Sequence, residues 1–386
     1  MPLDLHTSHI EISKAAYKHN INFLRSFLGE GVKISSVVKG NAYGHSIELF
    51  APLAEENGVD HFSVFSADEA YNVQKASKQR SDIMIMGSVE DEQLEWAIEQ
   101  DISCYIFDLK RLKQAVSFAK KTRKKAKIHI EVETGMHRTG FDVDEWQEVA
   151  ETLKAHNDVL IFKGLCTHFA GAEEIANYYR IKQQQQNFRR AKRYFKDFGL
   201  EPQLIHTACS AATLRYPQTQ GDMVRLGIVQ YGFFPTKEVL IHFLEKAKTK
   251  EDPLQRLLSW KSKVMDVKNV KTGDFVGYGT SFMAGQPMKI ATIPVGYSHG
   301  FSRSLSNQGR VLINGQRVPV IGVVNMNMMT VDVTHLDTIE KGDEVVLIGK
   351  QGDLEIGVSS FSEFSNQVNY EMLTRLPAEI PRIMVD

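Results

Sequence analysis

An apolar run closes on a lysine at Val37-Val38-Lys39, and Gly40, Tyr43 and Gly44 follow it directly. A lysine amine forms Schiff bases with carbonyls. Pyridoxal phosphate needs that amine, a partner for its ring nitrogen and donors for its phosphate. The chain carries each kind of group at comparable places. Arg138 follows Glu131-Val132-Glu133, His168 follows Thr167, Ser210 follows Thr207-Ala208-Cys209, and Arg225 precedes Gly227-Ile228. A lone lysine at a strand end is more often a surface residue. Two arginines, a histidine and a serine at the ends of successive apolar runs point to one shared site. Ser210, Tyr43 and the backbone N–H groups of Gly227 and Ile228 are the neutral donors suited to a phosphate.

For those residues to meet, the runs must be parallel strands. Eight candidates lie at residues 34–39, 61–65, 82–87, 103–107, 127–133, 162–169, 203–207 and 223–228. Amphipathic stretches separate them, for example at 68–75, 109–120, 143–155 and 173–198. Eight strands alternating with helices predict an α/β fold, a (β/α)8 TIM-type barrel, with a doubly wound open sheet as its competitor. Barrels build their sites at the carboxyl ends of the strands and hold phosphates after strands seven and eight, where Ser210, Gly227 and Ile228 fall. Past residue 235 a Lys- and Glu-rich helical pattern at 237–258 gives way to β-branched runs. These fall at 258–267, 270–273, 288–294, 310–313, 317–321, 330–333 and 344–348, with Asn314-Gly315 as a hairpin turn signal. The expected division is a barrel over 1–245 and a mostly β C-terminal domain over 246–386, with residues 1–13 packing with or pairing to the second domain.

Composition narrows the partners. Of 386 residues 42% are hydrophobic and 24% charged, and the net charge is -1, so nothing favours nucleic acid or an anionic membrane. The basic run at 120–125 reads as a solvated helix end. The N-terminus lacks the apolar core of a secretory signal, and no run approaches a membrane span. Cys104, Cys166 and Cys209 fit neither a disulfide framework nor a metal site, so no metal is expected and a cytoplasmic location is.

The segment Val38-Lys39-Gly40-Asn41-Ala42-Tyr43-Gly44-His45 resembles the cofactor-lysine signature of the alanine racemase family. The likeness continues through Glu133-Thr134-Gly135-Met136-His137-Arg138, Thr167-His168-Phe169-Ala170, His206-Thr207-Ala208-Cys209-Ser210-Ala211-Ala212 and Arg225-Leu226-Gly227-Ile228. In the second domain it takes in Gly277-Tyr278-Gly279-Thr280 and Ile293-Pro294-Val295-Gly296-Tyr297. Ordered motifs over nearly the whole chain make the resemblance specific. It implies pyridoxal 5'-phosphate on Lys39 and racemisation of alanine by two acid/base groups, Lys39 and Tyr278 of the partner subunit in a head-to-tail homodimer. A base on one face of the α-carbon and an acid on the other is what inversion requires. It also implies hydrogen bonds from that tyrosine to His168 and from His168 to Arg225. Arg225 would keep the pyridine nitrogen unprotonated, since arginine does not give up its proton. Arg138 and the backbone of Met326 would hold the substrate carboxylate, and Tyr297 would stand near the entrance. His45 and His137 read as structural hydrogen bonders, and Met326, Met328 and Met329 mainly as core.

Several positions depart from the family pattern. Glu131 stands where the family commonly carries a lysine, often carboxylated, and can supply directly the negative charge that orients Arg138. Cys209 replaces an asparagine, Asn325-Met326-Asn327 replaces Cys/Ser-Met-Asp, and Ala378 stands where some members have a tyrosine. A methylene is worth only about 1–3 kcal/mol of discrimination, so a serine or lysine racemase, or one of broader range, is the near alternative. A non-catalytic pyridoxal-phosphate-binding protein is the distant one.

Overall fold

The structure is a computed structural model that describes residues 5–247, 249–361 and 369–386. The chain forms two compact units. One takes residues 16–42 and 50–255; the other takes the described residues up to Ala15, Tyr43–Leu49 and Arg256–Asp386.

The chain opens with β1 (Ser8–Ser13), which belongs to the second unit. In the first unit β2 (Lys33–Val37), β3 (His61–Val64), β4 (Asp82–Ile85), β5 (Ser103–Ile106), β6 (Ala126–Glu131), β7 (Leu160–Cys166), β8 (Leu204–His206) and β9 (Met223–Leu226) are all parallel. They run in the order β8-β7-β6-β5-β4-β3-β2-β9. The barrel closes where Arg225 N–H donates to Ala208 O (3.0 Å) and Asp222 N–H to Ile205 O (2.8 Å). These strands are largely buried on both faces because helices cover one side and the barrel interior the other. The strand count and the parallel sense agree with the sequence reading.

The two ends of the barrel differ in kind. Where the strands begin, Lys33, Lys127 and Lys163 surround Asp82 at 3.7, 3.9 and 3.9 Å, and Lys127 also reaches Asp101 at 2.6 Å. Burial raises the Asp82 pKa, but Lys163, His61, Lys33 and Lys127 outweigh it and hold the carboxyl below its ordinary value.

In the second unit, β10 (Leu258–Lys263), β11 (Asp266–Val270), β12 (Met288–Ile293), β13 (Arg310–Ile313), β14 (Gln316–Ile321), β15 (Met329–Asp332), β16 (Glu344–Gln351), β17 (Leu354–Ile356) and β18 (Arg382–Val385) join β1. Among the described residues they form one sheet in the order β11-β12-β15-β14-β13-β16-β10-β1-β18, with β17 beside β16. β1 pairs antiparallel with β10 and parallel with β18. Asn314 and Gly315 have φ of 50° and 71°, both in the left-handed region that a two-residue hairpin turn requires. Trp260 and Phe301 are fully buried, with ring centroids 6.4 Å apart.

Three boundaries differ from the sequence reading. The helical pattern at 237–258 yields only the helix Lys237–Ala247. The run at 258–267 is two strands, β10 and β11. The units divide at Gln255 rather than at 245, because buried Asn20 holds Gln255 from both sides, accepting from its N–H (2.8 Å) and donating to its C=O (2.8 Å). Of residues 1–13, the first four lie outside the described residues, and β1 lies in the second unit's sheet.

Candidate active site

Lys39 follows β2 after one residue and starts a turn of unusual hand. Gly40, Asn41, Ala42 and Tyr43 have φ of 62°, 52°, 54° and 52°. For non-glycine residues this conformation costs about 1–2 kcal/mol each. It is held in place: Gly40 N–H donates to Glu69 Oε1 (2.6 Å) and Ala42 N–H to Val38 O (2.7 Å). Glu69 Oε2 accepts from Phe65 N–H (2.8 Å) as well, so one carboxylate ties the turn to the loop after β3. Lys39 itself makes no salt bridge among the described residues. The residue is exposed, and its amine pKa is lowered, first by desolvation and second by Arg138, against Glu69 and Cys209.

After β6 the loop is wrapped around Glu133, whose carboxylate accepts from the N–H groups of Gly135, Met136 (2.7 Å) and His137 (2.8 Å). Gly140, at φ 117°, closes the same loop; a Cβ there would lie 2.6 Å from Glu133 N. Buried Gln184, from the helix Tyr178–Asp197, donates to Thr134 Oγ1 (3.1 Å) and His168 O (3.0 Å). It thereby joins the loops after β6 and β7. Glu131 is buried and accepts from Thr139 Oγ1 at 2.8 Å. Burial raises its pKa; Thr139, Arg225 and Arg138 act against that. Arg138 reaches outward to solvent and forms no ion pair with Glu131 among the described residues. The hydroxyl of Thr139 takes the place expected for Arg138, and the influence of Arg138 on Glu131 is through space.

Arg225 is a charge held on several sides. It is 4% exposed. Nη1 donates to His206 Nδ1 (2.7 Å) and His206 O (2.8 Å), and Nη2 donates to Thr167 O (2.9 Å) and Thr207 O (3.1 Å). Four of five guanidinium N–H groups are thereby committed, none to a carboxylate, and Nε–H takes no partner among the described residues. The histidine bonded to Arg225 is His206 and not His168, as the resemblance had implied. The reason is topological: Arg225 lies on β9, and the strand beside it, β8, ends at His206. His168 is held neutral, its pKa pushed down to about 3 by burial and then by Arg225, Arg138 and Lys39. Those three cations act on one imidazole, so Lys39, Arg138, His168 and Arg225 lie near one another at the ends of the strands. Ser210 Oγ accepts from Gly227 N–H at 2.9 Å, which joins two of the expected phosphate donors. Ile228 opens the short helical turn that follows. Cys209 is half-buried, and its thiol pKa is raised mainly by desolvation.

The remaining residues lie in the second unit. Tyr43 is buried, and its carbonyl accepts from His45 Nδ1 at 2.9 Å, which makes His45 a structural hydrogen bonder as expected. Tyr278 is 74% exposed between Gly277 and Gly279, at φ 77° and 70°. Phe275 and Met283 beside it are also exposed. Tyr297 N–H donates to Asn325 O (3.0 Å) and Ser298 Oγ to Met326 O (2.7 Å), so the Tyr297 and Met326 loops are paired. That approach needs Gly296, where a Cβ would lie 2.1 Å from Asn325 O. Of the methionine cluster only Met329 is core; Met326 and Met328 are exposed. Reading the sequence alone missed His206, Glu69, Glu133 and Gln184. Each is a polar residue that works through backbone groups or a neighbour.

Comparison with known proteins agrees with the fold. Residues 12–235 match the pattern described as alanine racemase, N-terminal domain, and residues 257–384 match alanine racemase, C-terminal domain. The alanine racemase of Leptospira interrogans is 32% identical over 383 residues, covering 99% of this chain and 97% of that one. The Bacillus anthracis alanine racemase solved with bound L-Ala-P superposes with a TM-score of 0.88 at 31% identity, covering 99% of this chain and 95% of the other. The Bartonella henselae alanine racemase, with covalently bound pyridoxal phosphate, gives 0.84 at 26% identity over 98% and 100% of the two chains. No helix among the described residues is long and apolar enough to cross a membrane. By both domain matches and by relatives aligned over almost its whole length, the chain belongs to the alanine racemase family.

Proposed function

We propose that the protein interconverts L- and D-alanine with pyridoxal phosphate held on Lys39, acting as a cytoplasmic homodimer. The observation that carries the cofactor assignment is the donor set of Arg225: a buried, permanently charged guanidinium with one N–H left over. That group fits an unprotonated pyridine nitrogen as acceptor and no cationic partner. Once bound, the cofactor draws electron density from the α-carbon of the amino acid joined to it, but less strongly than with its nitrogen protonated.

The chain's own residues supply the rest. Lys39 holds the cofactor and moves the α-proton on one face. Tyr278 of the partner subunit holds or takes a proton on the opposite face, and the exposure of Phe275, Tyr278 and Met283 on one loop supports a subunit contact there. Ser210, Tyr43 and the N–H groups of Gly227 and Ile228 are assigned to the phosphate. Arg138 and Met326 N–H are assigned to the substrate carboxylate, with Glu131 acting on Arg138 only through space. His168 stays neutral beside Arg225, and Tyr297 lines the approach. Loading the purified protein with pyridoxal phosphate and assaying L-alanine, L-serine and L-lysine tests this reading; the expected result is fastest turnover of alanine. Little turnover of alanine would overturn it, and equal rates on serine would assign the broader specificity suggested by Asn327 and Ala378.

A pH dependence follows from the cations at the mouth. Only the neutral amine attacks an aldehyde, so a lowered Lys39 pKa lets capture begin at lower pH than for free lysine. Arg138→Gln removes one cause of that lowering. The midpoint for pyridoxal phosphate capture by the apoprotein, followed by stopped-flow absorbance, should rise toward that of free lysine. An unmoved midpoint would separate Arg138 from the amine.

A further inference from the structure

The guanidinium of Arg225 can only donate, and this fixes more than its own contacts. His206 Nδ1, 2.7 Å from Arg225 Nη1, must be an acceptor without a proton. Neutral His206 then carries its proton on Nε2. That nitrogen lies 2.8 Å from His129 Nδ1, which must in turn accept, leaving the His129 proton on its own Nε2. All three side chains are buried, and His129 Nε2 has no partner among the described residues. The hydrogen bonds run in one sense from Arg225 to His129: a proton on His206 Nδ1 would confront the guanidinium, and one on His129 Nδ1 would confront His206 Nε2–H. Burial lowers both imidazole pKa values well below the ordinary one, which keeps the pair neutral.

A backbone feature makes room for the pair. Gly164 on β7 faces both rings: a Cβ there would lie 2.1 Å from His129 Nδ1 and 2.8 Å from His206 Nε2. Its φ is not in the left-handed region, so space is what requires glycine here. The β6–β7 register shifts between Ile128 and His129, at the residue that pairs with Gly164. Strand irregularity, glycine and the imidazole contact coincide at one level of the barrel interior.

We propose that His129 and Gly164 are positioning residues for Arg225: acting through His206, they hold the guanidinium in the one orientation that leaves Nε–H for the cofactor's ring nitrogen. The inference rests on the racemase reading. Its consequence is reaction fidelity. When the ring nitrogen is no longer held bare, delivery of the α-proton to the cofactor's aldehyde carbon in place of its return to the α-carbon should become more frequent. After hydrolysis that route gives pyruvate and pyridoxamine phosphate, alanine losing two electrons and the cofactor gaining them.

In the holoenzyme His129→Leu is expected to lower kcat per bound cofactor about tenfold, leave the alanine KM within about twofold, and raise pyridoxamine phosphate formed per racemisation about tenfold. His129→Gln, whose amide oxygen can accept from His206, should restore both values to within about threefold. Gly164→Ala should reproduce the leucine phenotype with His129 intact. A merely structural role would lower the folded fraction and leave product partition per loaded site unchanged; that result overturns the proposal. Imidazole 15N NMR of the unaltered protein decides independently of whether the variants fold. The expected pattern is Nε2–H on both His129 and His206, and a proton on His206 Nδ1 would overturn the proposal. Should the unaltered protein fail to racemise alanine, the functional reading falls while the NMR result still stands for or against the imidazole arrangement.

Discussion

Lys39→Ala is expected to abolish both covalent retention of pyridoxal phosphate and racemisation, with a loss of about 10,000-fold or more in kcat. The size follows from two roles placed on one amine. Without it the cofactor has no covalent attachment, and one face of the α-carbon has no group to exchange a proton with. The fold should survive, because Lys39 makes no salt bridge among the described residues and the turn behind it is held by backbone bonds to Glu69 and Val38. The measurement is visible absorbance after gel filtration of the loaded protein, together with D-alanine formation. Added methylamine supplies a free amine in place of the side chain and should return part of the rate. Retained colour in Lys39→Ala would show that another amine holds the cofactor.

The barrel was legible because its strands are short apolar runs between amphipathic helices, and a strand buried on both faces has no other way to look. The mostly β unit was legible only in part. β1 and β18 pair across almost the whole chain, and no local pattern announces a partner that distant. The turn after Lys39 was invisible for a related reason: Gly40 and Asn41 tolerate the left-handed region, but nothing about Ala42 signals it. Among site residues, those that act by side-chain charge stood out at strand ends. His206 and His129 did not, since a histidine in an apolar run reads as an ordinary core residue until its neighbour is known. The pairing of Glu131 with Arg138 was a reasonable charge argument that Thr139 pre-empts with a hydroxyl eight residues along the chain from Glu131.

Tyr278→Phe should separate cofactor binding from racemisation. The substitution removes one oxygen from a side chain that is 74% exposed in its own subunit, so neither folding nor loading of Lys39 has reason to change. General acid/base groups contribute about 100- to 10,000-fold, and a loss near the middle of that range, about a thousandfold or 4 kcal/mol, is expected in kcat. The loss should be unequal in its isotopic signature. Lys39 still reaches its own face, so exchange of the α-proton with solvent deuterium should persist for the enantiomer whose proton faces Lys39 and fall away for the other. A merely structural tyrosine would depress both exchanges together. Mixing Tyr278→Phe with Lys39→Ala protein then tests the shared site: a heterodimer that places both intact residues in one site should recover activity that neither homodimer has. Failure to recover it, with heterodimers shown to form, would return Tyr278 to the subunit that carries it.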